Sequence, residues 1–141
     1  MTVLLASCSL TWGGAGGGSG DKVQSPIEPG SVLAVPLLSG DIDMTALGTC
    51  TEVIDGKVYG FGHPFTGEGP MMLPMCGGKV NGVIATLVTS FKLGAAAQPV
   101  GAILADHISG VAGKIGEVPV TAPIQLHVKY ADKSVDQTYS Y

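Results

Sequence analysis

The chain has 141 residues, 45% hydrophobic and 13% charged, apolar enough for one folded core and too apolar for a disordered segment. All seven basic residues are lysines and the net charge is -4, which argues against the arginine-bearing basic footprint of a nucleic-acid binder and against a polybasic membrane patch. No run approaches the ~20 apolar residues of a membrane-spanning helix, and 22 glycines with nine prolines leave little room for helix of any kind.

Residues 1–25 read as a strand-like segment followed by a glycine-rich linker, and residues 26–141 as one β domain. Within the first part, Leu5-Ala6-Ser7-Cys8 has the form of a lipoprotein cleavage box. It lacks the positive start and the ~7 to 15 apolar residues of a secretory signal, so lipid anchoring at Cys8 is not expected. Residues 2–11 read instead as a strand of the domain, and a piece cut from a longer precursor has the same appearance. The glycine and serine stretch from Gly13 to Gly20 reads as flexible coil. It does not read as a phosphate-binding loop, because no Lys-Ser or Lys-Thr and no helix follow its last glycine.

Strands are predicted over 31–38, 44–54, 57–62, 79–93, 100–108 and 124–130, separated by Gly, Pro and Asp punctuation. Only residues 86–97, with a triple alanine, offer a short helix. Six or more short strands must cover one another's apolar faces, which means a closed barrel or a sandwich. The strongest local signal is Asp55-Gly56 between two β-rich runs, a type I′ hairpin turn whose central residues both need positive φ. Counting outward pairs Val53 with Val58, Cys50 with Phe61 and Gly48 with His63. His63 then shares a face with Tyr59 and Phe61 at a strand end, immediately before Pro64. The last segment, 133–141, is also strand-like and is expected to leave an open sheet edge able to recruit a second copy or another chain.

The remaining chemical residues divide by pattern. His127 alternates with Leu126 and Val128 and falls on a solvated face. Asp106 and His107 are strand neighbours and so point to opposite faces. His63, His107, His127 and three cysteines supply metal-ligand types without a zinc-like pairing such as Cys-x-x-Cys, so neither a metal nor a cofactor is expected. Cys50 and Cys76 can pair in an oxidising compartment; the other reading packs Cys50 as a small hydrophobe.

The strand Gly48-Thr-Cys-Thr, a short turn and a strand ending in Gly62-His63 resemble the SpoIVB-type serine peptidase domain of bacterial sporulation signalling and its non-sporulation relatives. The likeness extends upstream to Pro29-Gly30 and the run through Gly40-Asp41. Downstream it takes in Gly69-Pro-Met-Met-Leu-Pro-Met, Thr89-Ser-Phe-Lys-Leu-Gly94 and Pro99 to Gly113, in family order. The resemblance covers about residues 26 to 130 and implies a small closed or partly open antiparallel β-barrel like those of chymotrypsin-like peptidases. It carries the general-base role onto His63 and offers Asp106 as the acid that orients it.

The family's Gly-x-Ser-Gly-Ser-Pro nucleophile segment is absent from these residues, and neither Ser90 nor Ser109 lies in such a turn, so no nucleophile is assigned. Without its serine a triad loses nearly all its chemical advantage. The resemblance therefore implies a non-catalytic binding or structural module, extracytoplasmic by family habit. The alternative is half of a serine endopeptidase whose nucleophile lies on a continuation or on another chain. In the module reading, Phe65, Met71, Met72 and Met75 form an adaptable surface for a protein or peptide partner. The other reading of these methionines places them in the barrel core.

Overall fold

The computed structural model describes residues 9–13, 25–85, 87, 90–129 and 136–141. The chain is all-β, with no helix among the described residues. Among the described residues nine strands run in order: β1 (Ser9–Gly13), β2 (Val32–Leu38), β3 (Asp43–Ile54), β4 (Lys57–Gly60), β5 (Gly69–Ile84), β6 (Phe91–His107), β7 (Gly110–Ile115), β8 (Gln125–Lys129) and β9 (Asp136–Ser140). The lipobox Leu5 to Cys8 and the glycine-rich stretch lie outside the described residues, while Ser9–Gly13 is a strand paired antiparallel with Asp43 to Leu47.

Strands β2 to β7 close into a six-stranded antiparallel barrel in the order β3-β2-β5-β6-β7-β4, with β4 pairing back onto β3. Closure depends on the length of β3. Its first half pairs with β1 and β2, and its second half pairs with β4. Period-two alternation then sorts the side chains. Leu33 and Val35, Ala46 and Cys50, Val58, Met75, Ile103 and Val111 fill the barrel. Ala34, Leu47 and Cys76 point the other way and form a second buried cluster with Val32 and Ala96.

That outer cluster exists because β5 and β6 are long, at 16 and 17 residues, and outrun the barrel. Register breaks between Met75 and Gly78 divide each into a barrel half and an arm half. The arm lies across the outside of β2 and β3, close enough that a Cβ on Gly94 would meet Leu47 Cδ1 at 3.0 Å and one on Gly78 would meet Val32 Cγ1 at 3.0 Å. Lys92 Nζ pins it further by donating to Thr49 Oγ1 at 3.0 Å. The predicted strand over 79–93 is therefore the end of one strand, a connection and the start of the next. Residues 91–97 of the segment offered as a helix are strand, because glycine and alanine there let the arm approach the sheet.

The Asp55-Gly56 turn has φ of 50° and 76° at its two central residues, as type I′ demands, and Val53 pairs with Val58 as counted. The register then slips by one. Thr51 is the extra residue of a bulge, so Cys50 faces Gly60 rather than Phe61. A Cβ on Gly56 would meet nothing within 4 Å, so replacement acts on backbone strain alone. Gly56→Val is expected to lower stability by ~1 to 3 kcal/mol. Urea unfolding checks this, and an unchanged midpoint would reject the strained turn as a stability determinant.

The carboxy-terminal segment does not lie as an unpaired strand. Asp136–Ser140 pairs with β8 as a separate two-stranded sheet. Asp41 ties that sheet to the barrel: its N–H donates to the Ser140 carbonyl at 3.0 Å and its Oδ2 accepts from the Ser140 N–H at 2.7 Å. No described helix is long and apolar enough to cross a membrane.

Candidate functional site

The chain leaves β4 through a distortion that places His63. Phe61 has φ of 70° and Gly62 of 72°, and positive φ is an outlier for a bulky aromatic residue. Two contacts hold Phe61 there. Its N–H donates to the Thr49 carbonyl at 3.0 Å, and its ring covers buried Gly48 so closely that a Cβ on that glycine would lie 2.1 Å from the ring carbons. Strand alternation therefore ends at Gly60, and His63 is placed by ring packing. Its imidazole lies tilted beside Phe61, centroids 5.8 Å apart, and Phe65 meets Phe61 edge-on at 5.7 Å.

His63 Nδ1 lies 2.8 Å from the Pro64 carbonyl oxygen. A carbonyl has no proton to give, so Nδ1 carries the hydrogen and donates, leaving Nε2 as the basic nitrogen. The ring is half-buried at the barrel rim.

Asp106, offered by the resemblance as the orienting acid, is placed differently. Its side chain is 2% exposed and faces the loop after His63. Oδ1 accepts the Phe65 N–H at 2.8 Å. Oδ2 accepts the Thr66 N–H at 2.6 Å, the Thr66 hydroxyl at 3.2 Å and the Gly67 N–H. Burial raises the carboxyl's pKa, but the N–H groups of Phe65, Gly67 and Thr66 and the Thr66 hydroxyl together outweigh it and hold it below its ordinary value. Asp106 thus latches the 65–67 backbone to β6, and the group that orients His63 is the Pro64 carbonyl. His107, its neighbour, points outward and is exposed.

Neither Ser90 nor Ser109 hydrogen-bonds to His63. Ser90 is exposed beside the start of β6, and Ser109 is exposed in the β6–β7 turn. Ser109 lines a shallow groove of about 430 Å³ with His107, Thr51, Tyr59 and Gly62. His127 is exposed, its Nδ1 2.9 Å from Thr138 Oγ1 on the paired strand. Among the described residues, no three His, Cys, Asp or Glu side chains gather where they could hold a metal ion.

The four residues proposed as a contact surface are divided by the fold. Met75 is wholly buried inside the barrel and cannot touch a partner. Phe65 and Met71 are partly buried and pack against the same core, and only Met72 is exposed, at 41%. Met72 lines an apolar groove of about 520 Å³ with Pro36, Leu38, Leu73, Pro74 and Tyr141. The groove has a sequence cause. The β2–β5 ladder holds at Ala34 and Cys76, and two residues further the same register sets Pro36 opposite Pro74, neither with an N–H to donate.

Cys50 and Cys76 are both free thiols, Cys50 inside the barrel and Cys76 in the outer cluster. Burial pushes the Cys76 thiol up to about 11. Burial also raises Cys50, partly offset by its Sγ–H donating to the Glu52 carbonyl at 3.7 Å. Neither is a thiolate nucleophile at neutral pH.

Two features of the rim escape a sequence reading: the positive φ of Phe61 and the latch from Asp106. A lone acid ending the apolar run Val100-Gly-Ala-Ile-Leu-Ala105 is the one local signal for the second, because a carboxylate there must find donors. Compared with family models, curated proteins and solved structures, the chain matches none of them.

Proposed function

We propose that this chain is a non-catalytic, SpoIVB-peptidase-like barrel module that works outside the cytoplasm as a binding or structural domain. One observation carries the reading: Asp106, the acid that the resemblance offers for His63, is spent on three backbone N–H groups and a hydroxyl of the 65–67 loop. A base whose acid is engaged elsewhere lacks the group that stabilises its imidazolium, and among the described residues no serine hydrogen-bonds to His63. The same bonds fix the rim loop in one conformation, and a preorganised loop binds at lower ordering cost. Met72 and the apolar groove beside it offer the exposed contact surface, with Phe65 and Met71 supporting the rim from beneath.

One observation favours the alternative, half of a serine endopeptidase. The Pro64 carbonyl selects the tautomer with a free Nε2, the form a general base needs, so a nucleophile supplied by a continuation or another chain would meet a prepared histidine. Incubating the chain with unfolded casein and a fluorophosphonate probe tests whether the chain itself carries a nucleophile. No cleavage and no labelling are expected. Stoichiometric labelling of Ser90 or Ser109, abolished by His63→Ala, would overturn the non-catalytic reading.

A further inference from the structure

The β8–β9 sheet is separate from the barrel sheet, and its two outer edges differ. The Ile124 N–H donates to the Tyr141 carbonyl and the Tyr141 N–H to the Ile124 carbonyl, which sets the phase of the ladder. By antiparallel alternation the next bonds are exchanged by Leu126 with Tyr139 and by Val128 with Gln137, and the N–H and C=O groups of the residues between turn outward. On β9 that outer edge is held at Ser140, where Asp41 bonds both the N–H and the carbonyl. On β8 the outward groups belong to Gln125, His127 and Lys129, and no described strand pairs with them. Gln125, Leu126, His127 and Lys129 are all exposed.

A two-stranded sheet is marginal in water and gains stability when further strands extend its apolar face. This sheet has such a face: Ile124 and Leu126, each about half exposed, lie on the side that carries Tyr139 and Tyr141. The strand that fits the open edge best is β8 itself. Antiparallel pairing about a two-fold axis at His127 sets Gln125 against Lys129 of the other copy, Leu126 against Val128, and His127 against its counterpart, and each unlike pair occurs twice. Apolar side chains then meet apolar ones, and no lysine faces a lysine. Neither a proline nor a lysine or carboxylate interrupts Gln125 to Val128 to blunt the edge.

We infer that two copies of this chain pair β8 edge to edge, antiparallel about His127, and join their two-stranded sheets into one of four strands. The pairing does not depend on any role of His63. Sedimentation velocity of the full chain over a dilution series tests it, and a reversible dimer is expected. The two Gln125 variants fix the register, because their effects have opposite signs. Gln125→Glu places a carboxylate opposite each Lys129 and should tighten the dimer about fivefold, whereas Gln125→Lys places like charges there and should weaken it about fivefold. His127→Pro removes an outward N–H, leaves the bonds of Leu126 and Val128 within the hairpin in place, and should weaken the dimer about tenfold or more. The Gln125 side chain is exposed, so its two variants keep the test sound even where His127→Pro frays the hairpin. A chain that stays monomeric throughout the series would overturn the inference and leave the edge to a strand of another protein. A dimer that both Gln125 variants leave unchanged would also overturn it and assign the contact to a different surface.

Discussion

Asp106→Ala is expected to destabilise the domain by about 3 to 5 kcal/mol, because a buried charged acceptor is removed from several donors at once. Three of those donors are main-chain N–H groups of the 65–67 loop, which no side-chain rearrangement can turn toward water without moving the loop. Asp106→Asn keeps the shape but, even with its oxygen on the Thr66 and Gly67 donors, sets an NH2 against the Phe65 N–H, so it should retain only part of the latch. The pH dependence has a definite sign. The folded carboxyl titrates below its unfolded value, so its contribution is fully present above the unfolded carboxylate range near pH 4 and is lost as pH falls through the lower folded value. Urea unfolding across the acid range should show a slope in the parent chain below about pH 4 that Asp106→Asn lacks. Equal slopes in the two proteins would show that the latch does not contribute to stability.

The strands were legible because their signals are local, whereas the choice of a barrel over a sandwich came from the resemblance. Asp55-Gly56 dictates a hairpin from two residues, and alternating apolar residues dictate which face turns inward. What escaped was set by long-range contact. The break between β5 and β6 falls in Ala85-Thr-Leu-Val-Thr-Ser90, which contains neither glycine nor proline and therefore reads as one continuing strand. The first half of β5 escaped for the opposite reason: Pro70 and Pro74 are poor strand formers, tolerated here where β5 has register breaks and a nearly unpaired flank. The triple alanine was ambiguous because small residues suit a helix and a crowded sheet equally, and only the nearby Leu47 decides between them. At the site, His63 was found by its glycine-flanked strand end, but its surroundings were not. One bulge at Thr51 and the inverted φ of Phe61 move every later side chain off the counted register. No local rule predicts that a phenylalanine will adopt positive φ in order to cover Gly48.

Met75 and Met72 provide the sharpest contrast along a single strand, since one apolar sequence, Met71-Met-Leu-Pro-Met75, supplies both a core residue and a surface residue. Met75 is wholly buried among Leu33, Val58, Ile103 and Val111, and Gly113 approaches it so closely that a Cβ there would lie 2.7 Å from its sulfur. Met75→Ala therefore leaves a cavity that the closed barrel cannot collapse to fill, and a loss of about 2 to 5 kcal/mol is expected. Met72→Ala removes an exposed side chain from the rim of the Pro36–Pro74 groove and should change stability by less than about 0.5 kcal/mol. Chemical denaturation of the two variants gives the comparison directly. If Met72 belongs to the contact surface, its alanine variant keeps the parent's stability and loses partner affinity, whereas Met75→Ala weakens binding only in proportion to the unfolded fraction. Equal stability losses in the two variants would return Met72 to the core and leave the rim without an exposed methionine.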